Sequence, residues 1–277
     1  MTAGELRRMG VELLKEASFD FPQHECDYLL SGILHLPLLE LQLDLSRVVS
    51  ETESSRIIEA FRRRAAREPA QYIIGSAPFR DLELAVSPAV LIPRPETEEL
   101  VTLALERAPH KGKILDMGTG SGAIPIALKS ERSDLQITAV DLSEEALKVA
   151  RLNAQHLGTE IEFLQSDLWS ALEGRSFDLV TANLPYVSES EYAQCDPEIF
   201  FEPVMALTAH HEGLELMEKM IAELPTHLSP GGWAIFELSP QQNQYIRTFG
   251  ESRGFAASAV KDLEGKERFV LLRRESF

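Results

Sequence analysis

Two hydrophobic periods run along this chain, and the change from one to the other marks its parts. Up to about residue 75, apolar positions return every third or fourth residue, the spacing of helices with one buried side. Thr2 and Glu5 have capping-box spacing, and Leu6, Met9, Leu13 and Ala17 follow on one predicted face. Asp20, Phe21 and Pro22 interrupt the pattern, and Pro22 suits the first turn of a second helix carrying Tyr28, Leu29 and Leu30. A third helix is predicted from about Glu53 to Arg67, with Ile57, Ile58 and Phe61 inward. From Phe79 to Ile92 the period becomes two: Leu82, Leu84 and Val86 alternate with polar or small residues, and Ser87-Pro88 reads as a turn. A β-hairpin is expected there. Ile92, Pro93, Arg94, Pro95, Glu96, Thr97 and Glu98 then open a helix to about Arg107, carrying Leu100, Leu103 and Leu105.

Beyond Gly112 the pattern turns to α/β. Seven candidate strands cover 113–117, 136–140, 160–164, 177–181, 232–238, 256–261 and 268–272, with helices predicted at 143–156, 214–228 and 240–252 among them. Such alternation predicts a mostly parallel sheet covered on both faces. Only Asp262 to Glu267 joins the last two strands, too little for a parallel crossover, so the last strand should be antiparallel. The expected organisation is a helical domain at 1–75, a β-hairpin linker at 76–93 and an α/β domain at 94–277. No internal repeat and no low-complexity tract breaks it.

Charge narrows the partners. Lys and Arg total 27 against 44 Asp and Glu, a formal charge of −17. A bare phosphate backbone would be repelled, so protein or small-molecule partners are favoured over direct nucleic-acid binding. Arg62, Arg63 and Arg64 are the local exception; a solvated helix face is the preferred reading and a basic docking patch the alternative. Two cysteines, Cys26 and Cys195, are too few for a disulfide framework or a cysteine zinc site. His210 and His211 lack converging partners, so no metal is expected. The N-terminal stretch has no apolar signal core, and no apolar run reaches membrane-spanning length. A cytoplasmic monomer without membrane contact is expected.

Candidate chemistry starts at the first α/β strand. Asp116, Gly118, Gly120 and Gly122, with Thr119 and Ser121 between them, form a glycine-dense turn before a helix start at Ala123. Glycines let the backbone approach a ligand, and a helix start supplies free N–H groups. The spacing departs from the dinucleotide fingerprint. Asp141, with Leu142 beside it, ends the second strand, where a carboxylate can take ribose hydroxyls; capping of the next helix is the alternative. Asp167 and Leu168 end the third, placed for an adenine amino group and ring, while Trp169 reads as a core ring. In this order the turn and acidic positions resemble the S-adenosylmethionine site of class I methyltransferases, implying a seven-stranded sheet with an antiparallel last strand, and S-adenosylhomocysteine as product.

The fourth strand, Phe177 to Thr181, stops at Asn183, Leu184, Pro185 and Tyr186. The Asn183 side-chain oxygen and the Leu184 carbonyl can together accept both N–H bonds of a planar –NH2 group, and Tyr186 can wall it. A strand ending in a self-capped turn is the alternative. The run resembles the Asn/Asp-Pro-Pro-Tyr tetrad of methyltransferases acting on adenine N6 or the glutamine amide. Residues 67–75, 91–98, 201–203 and 262–268 are similar to the HemK/PrmC family, release-factor glutamine N5-methyltransferases, over essentially the whole chain. A sister enzyme acting on a ribosomal protein shares the tetrad, but the segment Pro93 to Glu98 looks more like the release-factor enzyme. Leu184 stands where the family usually has proline, and Asn-Leu-Pro-Tyr also occurs in rRNA adenine dimethyltransferases. Those enzymes are basic and carry the glycine motif near the N-terminus; here it begins at Gly118 under a charge of −17. The resemblance implies methylation of the Gly-Gly-Gln glutamine of peptide chain release factors, affecting translation termination; an adenine N6-methyltransferase acting on rRNA or DNA is the alternative. Phe79, Arg94 and Glu202 are candidates to hold the rest of the glutamine, with an Arg94–Glu202 ion pair as the other reading of Glu202. Orientation by the Asn183 loop would carry most of the rate, since positioning is worth roughly 7–11 kcal/mol.

Overall fold

Thr2 accepts from the Glu5 N–H while the Glu5 carboxylate takes the Thr2 N–H, and α1 (Ala3–Glu16) starts there in this computed structural model, which describes residues 1–275. The buried row of α1 is Ala3, Leu6, Gly10 and Leu14, with Val11 beside it, whereas Met9 faces solvent. The expected stripe through Met9 and Leu13 is therefore rotated, because Gly10 occupies a core position that a count of apolar side chains passes over. Pro22 opens α2 (Pro22–Leu34) as predicted. Two short helices were not predicted, α3 (Leu38–Leu43) and α5 (Ala70–Ile74), each starting directly after a proline. Between them, Ser50 and Glu53 form a second capping box that starts α4 (Glu51–Ala65). Its arginines are not a uniform solvated face. Arg62 is exposed beside Glu59, Arg63 pairs with Glu68 at 2.5 Å, and Arg64 is buried, bonded to Glu25 at 2.7 Å and Glu198 at 3.1 Å. These helices and the segment Asp196–Phe201 make one unit, Met1–Ser76 with 196–201; the second holds Ala77–Cys195 and the chain from Glu202.

The hairpin lies earlier than its alternation suggested. β1 (Ser76–Phe79) and β2 (Leu82–Ala85) form a two-stranded sheet that turns at Arg80, which has φ 51°. Tertiary partners hold that arginine: its N–H donates to Glu98 and its guanidinium to Glu131 and Thr102. Ser87-Pro88 follows the hairpin instead of forming its turn. After it come α6 (Thr97–Arg107), β3 (Lys113–Met117), α7 (Ala123–Glu131), β4 (Gln136–Asp141), α8 (Glu144–His156), β5 (Glu162–Gln165) and β6 (Phe177–Ala182). The single-turn α9 (Glu189–Tyr192) and α10 (His210–Gly213) precede α11 (Glu215–His227), β7 (Leu228–Glu237), α12 (Asn243–Ser252), β8 (Phe255–Lys261) and β9 (Glu267–Arg274).

The seven-stranded sheet has the order β5-β4-β3-β6-β7-β9-β8, parallel except for β9, which runs antiparallel to both neighbours. Neighbouring residues on its strands serve opposite faces. Leu115, Val180, Phe236 and Val270 pack with Met220, Ile221 and Leu224 of α11, while Ile114, Leu179, Ile235 and Leu271 pack with Leu100 of α6 and Ile126 of α7. Both faces are dry, which explains the near-continuous apolar runs. The chain winds from β3 outward to β5, then restarts beside β3 with β6. The carboxyl ends of β3 and β6 thus flank the point where strand order reverses, the usual place for a ligand crevice in an open α/β sheet. No helix among the described residues is long and apolar enough to cross a membrane.

Candidate active site

The turn after β3 is held from three directions. Gly118 and Thr119 donate their N–H groups to the Val140 carbonyl at 2.9 and 3.0 Å, and Gly120 donates to Asp141 Oδ2 at 2.8 Å. Asn153 on α8 donates to the Ser121 carbonyl at 2.9 Å and also exchanges two bonds with the backbone of Ala85 on β2. Gly120 has φ 55°, and a Cβ there would project into open space, so the bare backbone faces the pocket. At Gly118 the neighbour is different: a Cβ would stand 2.7 Å from Leu184 Cδ2. The Leu184 side chain, 5% exposed, therefore packs directly onto the glycine turn. Gly122 precedes α7 without a side-chain cap, leaving the first-turn N–H groups of that helix unclaimed by one.

One pocket takes Gly118, Thr119, Gly120, Ser121, Asp141, Leu142, Asp167, Leu168, Asn183, Leu184, Pro185 and Arg94 into its lining. Gly122, Phe79, Tyr186 and Glu202 are outside it. Phe79 is fully buried with Leu84, Leu100 and Phe269, so a substrate contact is replaced by a packing role: the β1 alternation turns its ring into the core. Glu202 takes the ion-pair alternative, binding Arg94 at 2.5 Å and the Ile92 N–H at 3.0 Å while itself 4% exposed. The Tyr186 carbonyl accepts from Gln242 Nε2 at 2.9 Å. Burial and the charge of Glu237 push the Tyr186 hydroxyl up to about 12. Trp169 is the core ring expected, stacked on His227 and donating Nε1–H to the Met220 carbonyl. His210 and His211 are exposed and sit against Glu189 and Glu218.

Acidic residues around the turn differ in kind. Both Asp141 oxygens accept backbone N–H groups, from Gly120 and Ser143, while Ser143 itself caps α8. Burial raises the Asp141 pKa against the pull of those bonds. Asp116 is fully buried and rises to about 7 through desolvation, opposed by the Thr181 hydroxyl bonded to it. Thr181 reaches Asp116 Oδ1 at 2.8 Å, yet Asp116 Oδ2 and Thr119 Oγ1 have no hydrogen-bond partner among the described residues. Asp167 is exposed. Leu168 beside it has φ 47°, a left-handed backbone fixed by Ser166 Oγ donating to the Leu168 carbonyl at 2.6 Å. A non-glycine residue there stores roughly 1–2 kcal/mol of strain, a cost tolerated mainly where it aims a side chain.

Asn183 brings in two residues that sequence reasoning missed. Its Nδ2 donates to Thr97 Oγ1 at 3.1 Å, and that hydroxyl donates to Glu237 Oε2 at 2.7 Å. Parallel pairing of Ala182 with Phe236 puts Asn183 and Glu237 side by side at the strand ends, and α6 begins at Thr97 above them. Burial lifts the Glu237 carboxyl to about 7, opposed by the Thr97 hydroxyl and by Arg268 and Arg94. A lone acid closing an apolar strand was the available signal for Glu237; Thr97 lies within the segment Pro93 to Glu98, where a helix start accounts for it.

Residues 5–75 match the family described as PrmC N-terminal domain, and residues 97–209 the one described as Methyltransferase small domain. The chain is 39% identical over 282 residues to a release factor glutamine methyltransferase of Koribacter versatilis, covering 99% of each chain. It is 34% identical over 276 residues to that of Deinococcus radiodurans, again covering 99% of each. Among solved structures, a methyltransferase from Pyrococcus furiosus aligns with TM-score 0.56 at 18% identity, over 82% of this chain and all (100%) of that one. A T. thermophilus 16S rRNA N2 G1207 methyltransferase, solved with AdoMet and guanosine, aligns with TM-score 0.53 at 18% identity, over 73% of this chain and 50% of that one. At such identities these structures speak for the fold.

Proposed function

We propose, from the premise that this chain belongs to the release factor glutamine methyltransferase family, that it methylates the side-chain amide nitrogen of the glutamine in the Gly-Gly-Gln loop of peptide chain release factors, with S-adenosylmethionine as donor. The observation that carries this reading is a shared pocket: Asn183 and Leu184, a pair of amide-gripping acceptors, line the same crevice as the Gly118–Ser121 turn. The donor set fits the cofactor. The open space over Gly120 admits it, and Thr119 Oγ1, unpartnered among the described residues on a residue of the pocket lining, can bond its polar groups. Asp141 would hold the ribose hydroxyls, Asp167 and Leu168 the adenine edge and face, and the glycine turn the amino-acid end. Bound there, S-adenosylmethionine supplies an electrophilic methyl on a sulfonium.

Everything else is the work of the chain. Asn183 Oδ1 and the Leu184 carbonyl accept the two amide N–H bonds of the glutamine, which fixes the plane of the amide and aims its nitrogen lone pair across the pocket. Amide resonance makes that nitrogen a poor nucleophile, so orientation and exclusion of competing water bear the catalytic load, within the roughly 7–11 kcal/mol available to positioning. The methylated nitrogen then gives up one N–H proton to solvent. Pro185 and Leu184 keep the crevice apolar. Arg94, anchored by Glu202, stands at the pocket with its side chain 32% exposed and can meet a substrate carbonyl.

Incubation with labelled S-adenosylmethionine and, separately, a release factor, duplex DNA and ribosomal RNA tests the reading. One added methyl on a release-factor glutamine amide, located by mass spectrometry, is expected; methyl on adenine would replace this reading with the nucleic-acid one. Asn183→Ala should lower turnover by at least about a hundredfold while cofactor affinity stays within a few-fold, because the lost contact orients only the methyl acceptor. Loss of cofactor binding in that variant would make Asn183 a cofactor residue instead.

A further inference from the structure

An amide side chain has a donor end and an acceptor end of nearly the same shape, and a site that grips –NH2 works only if the acceptor end faces it. Nothing at the end of β6 itself makes that choice. The chain Glu237–Thr97–Asn183 does. A carboxylate can only accept, so the 2.7 Å contact to Glu237 Oε2 commits the single proton of the Thr97 hydroxyl. Thr97 Oγ1 is then left as an acceptor toward Asn183, and at 3.1 Å it must receive an N–H from Nδ2. Oδ1 is at the other end of the planar amide and points away from Thr97. The polarity is dictated from the carboxylate end.

We propose that Thr97 and Glu237 are positioning residues that lock the Asn183 amide with its oxygen toward the substrate, and so select a methyl acceptor carrying two N–H donors. The proposal rests on the reading of a glutamine amide as substrate. Its parts are built for constancy: Glu237 is 1% and Thr97 5% exposed, and they sit on β7 and α6, not on mobile loops. Arg268, Arg94, Glu96 and Tyr186 are the charged and titratable groups that act on the carboxyl. The lock also has a direction in pH. Once Glu237 is protonated, it can donate to Thr97, Thr97 can donate to Asn183, and the amide is free to turn over. Methylation should therefore have an acid limb near pH 7, where burial places this carboxyl.

Thr97→Val keeps the shape and removes the hydroxyl; Thr97→Ser keeps the hydroxyl. With a release factor as substrate, Thr97→Val should lower kcat by at least about tenfold with KM and cofactor Kd within about threefold, and Thr97→Ser should restore kcat to within about threefold of wild type. In protein carrying ¹⁵N only at asparagine, the Asn183 side-chain protons should be protected from exchange in wild type and Thr97→Ser, and lose protection in Thr97→Val. Glu237→Gln, whose amide can accept or donate, should flatten the acid limb, and it carries the test if Thr97→Val does not fold. If Thr97→Val keeps both kcat and the protected amide signal, or if Glu237→Gln keeps the acid limb in its place, the lock is overturned. If wild type methylates no release factor yet Thr97→Val still loses the protected signal, the lock stands and the substrate reading falls.

Discussion

Leu184 does two jobs with different parts of one residue. Its carbonyl is the proposed second acceptor for the glutamine amide, and its side chain, 5% exposed, fills the space above Gly118. Proline at this position would keep the first job and give up part of the second. Leu184→Pro should hold turnover within about fivefold of wild type, while lost packing lowers stability by about 1–3 kcal/mol. Parallel kcat measurements and urea unfolding check this; a hundredfold loss of kcat at unchanged stability would show that the loop needs the leucine for chemistry. At this scale the sequence was readable where a residue type announces its chemistry. Asn183, Asp141, Gly118 and Gly120 were singled out that way, and the structure brings them into the lining of one pocket. Thr97 was not, because a threonine at a helix start has a routine explanation and its partner lies far along the chain, at Glu237.

The elements meet the site through α8 and the hairpin. Asn153 on α8 is 3% exposed and joins the glycine turn to β2 by bonding the Ser121 carbonyl and both backbone groups of Ala85. Truncation strips one buried and two part-buried backbone groups of their partner. Asn153→Ala should cost about 2–4 kcal/mol and weaken cofactor affinity more than it weakens release-factor affinity, as read by denaturant melts and calorimetric titration. Equal weakening of both would remove the special link to the turn. Strand and helix order followed from periodicity, and the antiparallel last strand from the short connection before it. Periodicity failed where a tertiary partner outweighed it. The hairpin turns at Arg80 because Glu98 and Glu131 hold that arginine, and Arg64 goes inward because Glu25 and Glu198 meet it there.

Across the whole molecule, two acids are buried inside an otherwise dry sheet layer. Asp116 and Glu237 both rise to about 7, above the ordinary carboxylate range, because desolvation penalises their charged forms. The folded chain thus holds these protons more tightly than the unfolded one. Their stabilising contribution is complete below about pH 4 and is lost as pH climbs through about 7. The melting temperature of the cofactor-free protein should fall across that window, and Asp116→Asn should fall less steeply. An identical slope in the variant would show that Asp116 does not titrate as its burial implies. The formal charge of −17 acts at the same scale, adding self-repulsion as these last acids ionise.

Order of elements, fold class, the glycine turn and the strand end at Asn183 and Leu184 were determined along the chain itself, since each depends on residues near one another in sequence and on periods that backbone geometry imposes. Tertiary structure alone decided which side of each residue does the work. It turned Phe79 into the core, bound Glu202 to Arg94, and set Glu237 beneath Asn183 by the register of β6 and β7. The reason is physical: the polarity of a buried hydrogen-bond chain belongs to all of its members at once, and these members lie on strands and a helix that meet only when the sheet has formed.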